Sequence, residues 1–105
     1  MLPCVLLAGN DPNLASVCRQ CAALAAGARL EVTDMGALTT RAAELRPFAI
    51  VVPEDLLDFD PEEFVALART VNATLVPISI EAPRDREVRA ELVARIRTAY
   101  EKRGS

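Results

Sequence analysis

Two groups of side chains in this 105-residue chain have the types and spacing to do chemistry: the pair Cys18 and Cys21, and six acids within ten residues, Glu54, Asp55, Asp58, Asp60, Glu62 and Glu63. A redox dithiol sits at a helix start, where the dipole lowers the thiol pKa. Cys18 and Cys21 instead fall about two turns into a helical pattern, beside Leu14 and Val17, so core packing competes with a redox or metal role. A zinc site would need further ligands, and histidine, the commonest metal ligand and general base, is absent. The acids have no basic residue among them, which suits a cation site, an acidic docking face or a solvated loop with helix-start charges. Gly9-Asn10-Asp11 could cradle an anion, yet it lacks a glycine-rich phosphate loop.

The elements that must position these groups follow from periodicity and punctuation. Pro3 to Ala8 is a continuous apolar run closed by Gly9 and Asn10, as expected of a central parallel strand. Asp11-Pro12 then starts a helix, with the carboxylate capping free amides and proline supplying a helical φ. That helix is expected to run to about Ala26, with Leu14, Val17, Cys18, Cys21 and Leu24 inward, and to stop at Gly27. Arg29 to Thr33 reads as an edge strand through the alternation of Leu30 and Val32, followed by a helix from the cap Asp34 to about Leu45. Phe48 to Val52 is a third strand ending on Pro53, and Asp60-Pro61 opens a helix through Val71. Leu75 to Ile80 is the fourth strand, and Val88, Leu92, Ile96 and Tyr100 mark a long amphipathic helix from Asp85 to about Arg103. The order βαβαβαβα implies right-handed crossovers over a parallel sheet in one three-layer α/β domain covering residues 1–105.

Composition narrows the function. Apolar residues make up 51% and aromatics 4%, so the core is aliphatic. Twelve basic and fifteen acidic residues, a net charge of -3, argue against a nucleic-acid partner. No apolar stretch approaches the roughly 20 residues of a membrane span, and the start lacks the pattern of a signal peptide. An odd number of cysteines, three, suggests free thiols in a reducing compartment, and the expected location is the cytoplasm.

The layout resembles the receiver domain of two-component signalling, a flavodoxin-like fold. Leu6-Leu7-Ala8-Gly9-Asn10-Asp11-Pro12-Asn13-Leu14 is similar to the end of a receiver's first strand, where an acidic pair precedes an Asp-Pro helix start. Pro47 to Pro53 is similar to the third strand, which ends on the phosphorylated aspartate, and Glu91 to Arg97 to the final helix. The resemblance implies that the metal-holding acids fall on Gly9 and Asn10, the phosphoacceptor on Pro53, and the hydroxyl that reports phosphorylation on Ser79. Gly9 and Asn10 offer no carboxylate for magnesium, and Pro53 has no nucleophile. The receiver's fourth helix and fifth strand have no counterpart, because only Glu81 to Arg84 separate the fourth strand from the last helix. A four-stranded sheet of order 2-1-3-4 follows, and Pro77 inside the fourth strand agrees with an edge position.

The expected role is a phosphorylation-independent interaction module, not an enzyme, with no cofactor or bound metal, and with a protein partner or a second copy. Its candidate surface residues are Asp11, Glu54, Asp55, Asp58, Pro77, Arg89, Ile96 and Tyr100. Residues 84 to 103 carry seven basic and four acidic side chains, against an acidic loop holding six acids, which suits an electrostatic contact. The alternative is a small-molecule or ion-binding module using the crevice beside Asn10, Asp11, Glu54 and Ser79.

Overall fold

In the computed structural model, which describes residues 2–104, four parallel strands form one sheet in the order β2-β1-β3-β4. They are β1 (Cys4–Ala8), β2 (Arg29–Thr33), β3 (Ala49–Pro53) and β4 (Thr74–Ile78). Every residue of β1 and β3 is buried, as continuous apolar runs require when helices cover both faces. Period-two alternation divides these strands between two cores. Val5, Leu7, Ala49 and Val51 face one side with α1 (Pro12–Ala26) and α5 (Arg86–Gly104). Leu6, Ala8, Ile50 and Val52 face the other with α2 (Leu38–Leu45) and α4 (Pro61–Thr70). The architecture is the three-layer, flavodoxin-like arrangement that the strand and helix order implies.

The first helix is punctuated as its residues dictate. Asp11 Oδ1 accepts from the amides of Asn13 at 2.8 Å and Leu14 at 3.3 Å. Gly27, at φ 58, ends it in the left-handed region, and Ala28 N–H reaches back to the Ala22 carbonyl at 3.2 Å. Leu24, expected inward, is 73% exposed. It lies about a quarter turn off the line through Leu14, Cys18, Cys21 and Ala25, so Ala25 continues the packed stripe instead. Val32 is likewise exposed while Leu30 is buried, because the sheet edge leaves part of that face uncovered.

Three boundaries differ from the expected ones. Asp34 does not cap α2; its Oδ1 accepts from Ala37 N at 2.9 Å and closes a turn, so the helix begins four residues later at Leu38. Glu54–Phe59, expected to be loop, forms a short helix, α3, with Glu54 and Asp55 in its first turn and Leu56 and Leu57 packed on the second core. β4 ends at Ile78, leaving Ser79 beyond the strand and Ile80 63% exposed in the following turn.

Pro77 occupies an edge strand without costing a ladder bond. Thr74 N–H donates to the Phe48 carbonyl at 2.9 Å. Backbone groups alternate sides along a strand, so Val76 and Ile78 also face β3, and Leu75 and Pro77 face the open edge. The amide that proline lacks is one that no strand of the sheet would use. No helix among the described residues is long and apolar enough to cross a membrane.

Candidate functional site

The carboxyl ends of β1 and β3 bring together most of the residues that sequence places there. Gly9, Asn10, Asp11, Pro53 and Asp55 line one crevice of about 210 Å³, closed by Leu14, Leu56 and Ile80. Glu54, Pro77 and Ser79 line a separate crevice of about 360 Å³ beside α5, with Glu91, Leu92 and Arg95. The expected single crevice around Asn10, Asp11, Glu54 and Ser79 is therefore two. The cause is α3: its first turn leaves Asp55 on one side of the β3 end and Glu54 on the other.

Local geometry at each position explains what these groups can do. Gly9 holds φ 116, a conformation that side-chain-bearing residues rarely adopt, with its amide bonded to the Thr33 carbonyl at 2.8 Å. A Cβ there would meet Leu56 Cδ1 at 3.7 Å, so space is available and the backbone is the obstacle. Pro53 is buried at the end of β3. In the observed register, alternation turns Ala49, Val51 and residue 53 toward β1, where the next amide would serve the Ala8 carbonyl. Proline cannot donate, and the β1·β3 pairing stops at Leu7↔Val51.

Two of the polar groups, Asp11 and Ser79, are committed to a cap and a turn. Asp11 caps α1 through Oδ1. Ser79 Oγ accepts from Glu81 N at 3.1 Å, and its carbonyl accepts from Ala82 N, which fixes the turn into α5. Among the described residues, no group of three His, Cys, Asp or Glu side chains is arranged to hold a metal ion. What this end of the sheet offers is a shallow apolar crevice with two carboxylates, Asp11 and Asp55, at its rim.

The other candidate residues scatter. Ile96 is fully buried in the core between α5 and the sheet, so it is no surface residue; a residue at helical spacing with Leu92 belongs to the packed stripe. Arg89 is also taken, donating through Nη1 to the carbonyls of Ala82 at 3.1 Å and Pro83 at 3.0 Å. Tyr100 lies at the opposite end of the sheet, 43% exposed, with its ring edge-on to Phe48 at 5.2 Å. Asp58 is exposed on α3.

Cys4, Cys18 and Cys21 are free and buried. Burial pushes all three thiols up; the neighbouring Cys21 adds to the effect at Cys18, which reaches about 12 from an ordinary 9.0. A thiol held protonated is a poor nucleophile, and both Cys18 and Cys21 pack in the core between α1, α5 and the sheet, which favours packing for the C-x-x-C spacing.

A feature that sequence reasoning missed lies on the other face. Met35, Leu38, Thr39, Leu56, Phe59, Phe64 and Leu67 line a cleft of about 380 Å³ whose mouth carries Asp60 and Glu63. Phe59 is 91% exposed and Met35 45%. The signal was present in Leu56-Leu57-Asp58-Phe59, an apolar set at helical spacing inside what read as an acidic loop. Compared with family models, with curated proteins and with solved structures, the chain matches none of them.

Proposed function

We propose that this chain is a degenerate receiver-like domain that works through protein contacts and does not accept a phosphoryl group. The observation that carries the proposal is the set Gly9, Asn10 and Pro53 at the three positions where that fold places its metal-holding and phosphorylated acids. Two features support it. The backbone at Gly9 is one that an aspartate rarely adopts, and Pro53 brings neither a nucleophile nor an amide to the strand end. Phosphoryl transfer works by positioning and charge neutralisation, and this site offers neither a metal-holding set nor an acceptor. Among the described residues the sheet of order 2-1-3-4 has no fifth strand, so the element through which a receiver relays its state has no counterpart there.

The reading places the chain in the cytoplasm, in agreement with three unpaired thiols. A small-molecule role at the strand ends is the weaker reading, because the crevice at Asn10 and Asp11, of about 210 Å³, lies below the roughly 300 to 1,000 Å³ usual for ligand pockets, and the one at Glu54 and Ser79, of about 360 Å³, only just enters that range.

Incubation with magnesium and acetyl phosphate, or with beryllofluoride, tests the proposal by intact mass and amide shifts. Neither reagent changes the protein, and the variant Pro53→Asp also stays unmodified because its neighbours at positions 9 and 10 supply no carboxylate. A stoichiometric acyl phosphate on the natural chain would sink the idea. Light scattering tests for a second copy as partner, expected as a rise in mass with concentration; a constant monomer mass removes the homodimer.

A further inference from the structure

We propose that the cleft between α2 and the α3–α4 corner is a docking site for a Lys- or Arg-bearing amphipathic helix of a partner protein. The inference rests on the interaction-module reading and names the surface and the partner's chemistry.

The cleft and its rim present apolar, unpartnered surface. Phe59 projects from the last position of α3 with 91% of its surface exposed, beside a cleft floored by Leu38, Leu56, Phe64 and Leu67. A helix end that turns a phenylalanine into solvent next to an apolar cleft has the composition of an anchor site at an interface core. The cleft meets α4 at Glu63, Phe64 and Leu67, about one turn or 6 Å of helix, which takes one or two anchors spaced i, i+3 or i+4 on a docked helix.

The charge around the cleft is acidic. Between Arg46 and Arg69 the chain contains six acids and no basic residue, and two of those acids, Asp60 and Glu63, stand at the mouth of the cleft. Asp60 raises the Glu63 pKa, by side-chain hydrogen bonding first and by its charge second. Two carboxylates lining one cleft gain when a cation arrives between them. A docked lysine or arginine supplies it while its neighbours fill the cleft, and complementary potentials of this kind speed the encounter.

A second copy of the chain fits less well. Its basic helix, α5, commits Leu92 and Ile96 to the core and keeps no free apolar row to enter a cleft. The occupant is therefore a segment of another protein, carrying an apolar stripe and a positive charge together.

The test uses the full chain and a fluorescent helical peptide of about 18 residues, with leucines on one stripe and lysines elsewhere. The peptide is expected to bind, to shift amides over residues 35–39 and 56–67, and to lose binding when its lysines are replaced by glutamates. Phe59→Ser and Glu63→Lys each weaken binding at least about tenfold, as an anchor and its paired charge should. Glu62→Lys makes the same charge change on α4 outside the cleft lining and alters binding less than about twofold. Circular dichroism checks that each variant is folded. Absence of binding, equal losses from Glu62→Lys and Glu63→Lys, or shifts confined to another face would each overturn the docking site while leaving the phosphorylation-independent reading intact. An acyl phosphate would do the reverse.

Discussion

The buried thiol of Cys18 makes the stability of this protein depend on alkaline pH in a calculable way. Cys18 has no exposed surface, and burial, with Cys21 beside it, raises its pKa from 9.0 to about 12. Between those values the unfolded chain has released the proton and the folded chain still holds it, so the folded state binds more protons. The sign is then fixed: the contribution is fully present below pH 9 and falls as pH rises toward 12. The slope is about 1.4 kcal/mol per pH unit, so at about pH 10.5 Cys18 alone removes roughly 2 kcal/mol. Urea unfolding at about pH 8 and about pH 10.5, on the natural chain and on Cys18→Ala, isolates this term. The variant is less stable throughout, because it leaves a cavity, but its loss between the two pH values is smaller by about 2 kcal/mol. Cys4 and Cys21, whose thiols burial also pushes up, are present in both proteins, so the comparison isolates Cys18. Thiol labelling gives a second readout: at pH 8 the thiolate of Cys18 is roughly a thousandfold scarcer than in the unfolded chain, and alkylation slows accordingly. Identical pH dependences in the two proteins, or labelling of Cys18 at the rate of an exposed thiol, would refute the reasoning.

Three further predictions follow from the packing and the caps. Ile96→Ala, which empties a fully buried position between α5 and the sheet, costs about 2 to 5 kcal/mol in urea unfolding; a loss below about 1 kcal/mol would mean that α5 is not seated there. Asp11→Ala removes the acceptor for Asn13 N and Leu14 N and costs about 1 kcal/mol, most of which Asp11→Asn restores. Pro77→Val returns an amide to the open edge of β4 and makes the protein self-associate more strongly with concentration, measured by light scattering; unchanged mass would show that the edge is protected by something other than proline.

Much of the fold was legible because its signals are local. The runs at Val5 to Ala8 and Ala49 to Val52 are apolar on both faces, which only a covered parallel sheet accommodates. Asp11-Pro12 and Gly27 bracket α1 through interactions that reach no further than three or four residues. The misreadings occurred where the deciding contact was not local. Leu24 and Val32 have the right residue type for the core, but their exposure depends on which neighbouring element covers them. Asp34 had two backbone uses within reach, a cap and a turn, and the turn won. The helix α3 was hidden because its acids read as loop charges when they are first-turn charges.

The candidate site divides along the same line. Residue identity alone established what chemistry is missing at the strand ends: no acid at positions 9 and 10, no nucleophile at position 53, no histidine anywhere. Those statements need no coordinates, since a side chain without the required atoms cannot supply them wherever it lies. Tertiary structure alone decided that Glu54 and Ser79 part from Asn10 and Asp11, that Ile96 is interior, and that Phe59 stands exposed beside an apolar cleft. The physical reason is range. Caps, turns and strand patterns are set by neighbours in sequence, whereas burial and the sharing of a cleft are set by elements such as α2 and α4, which come together only when both pack on the same face of the sheet.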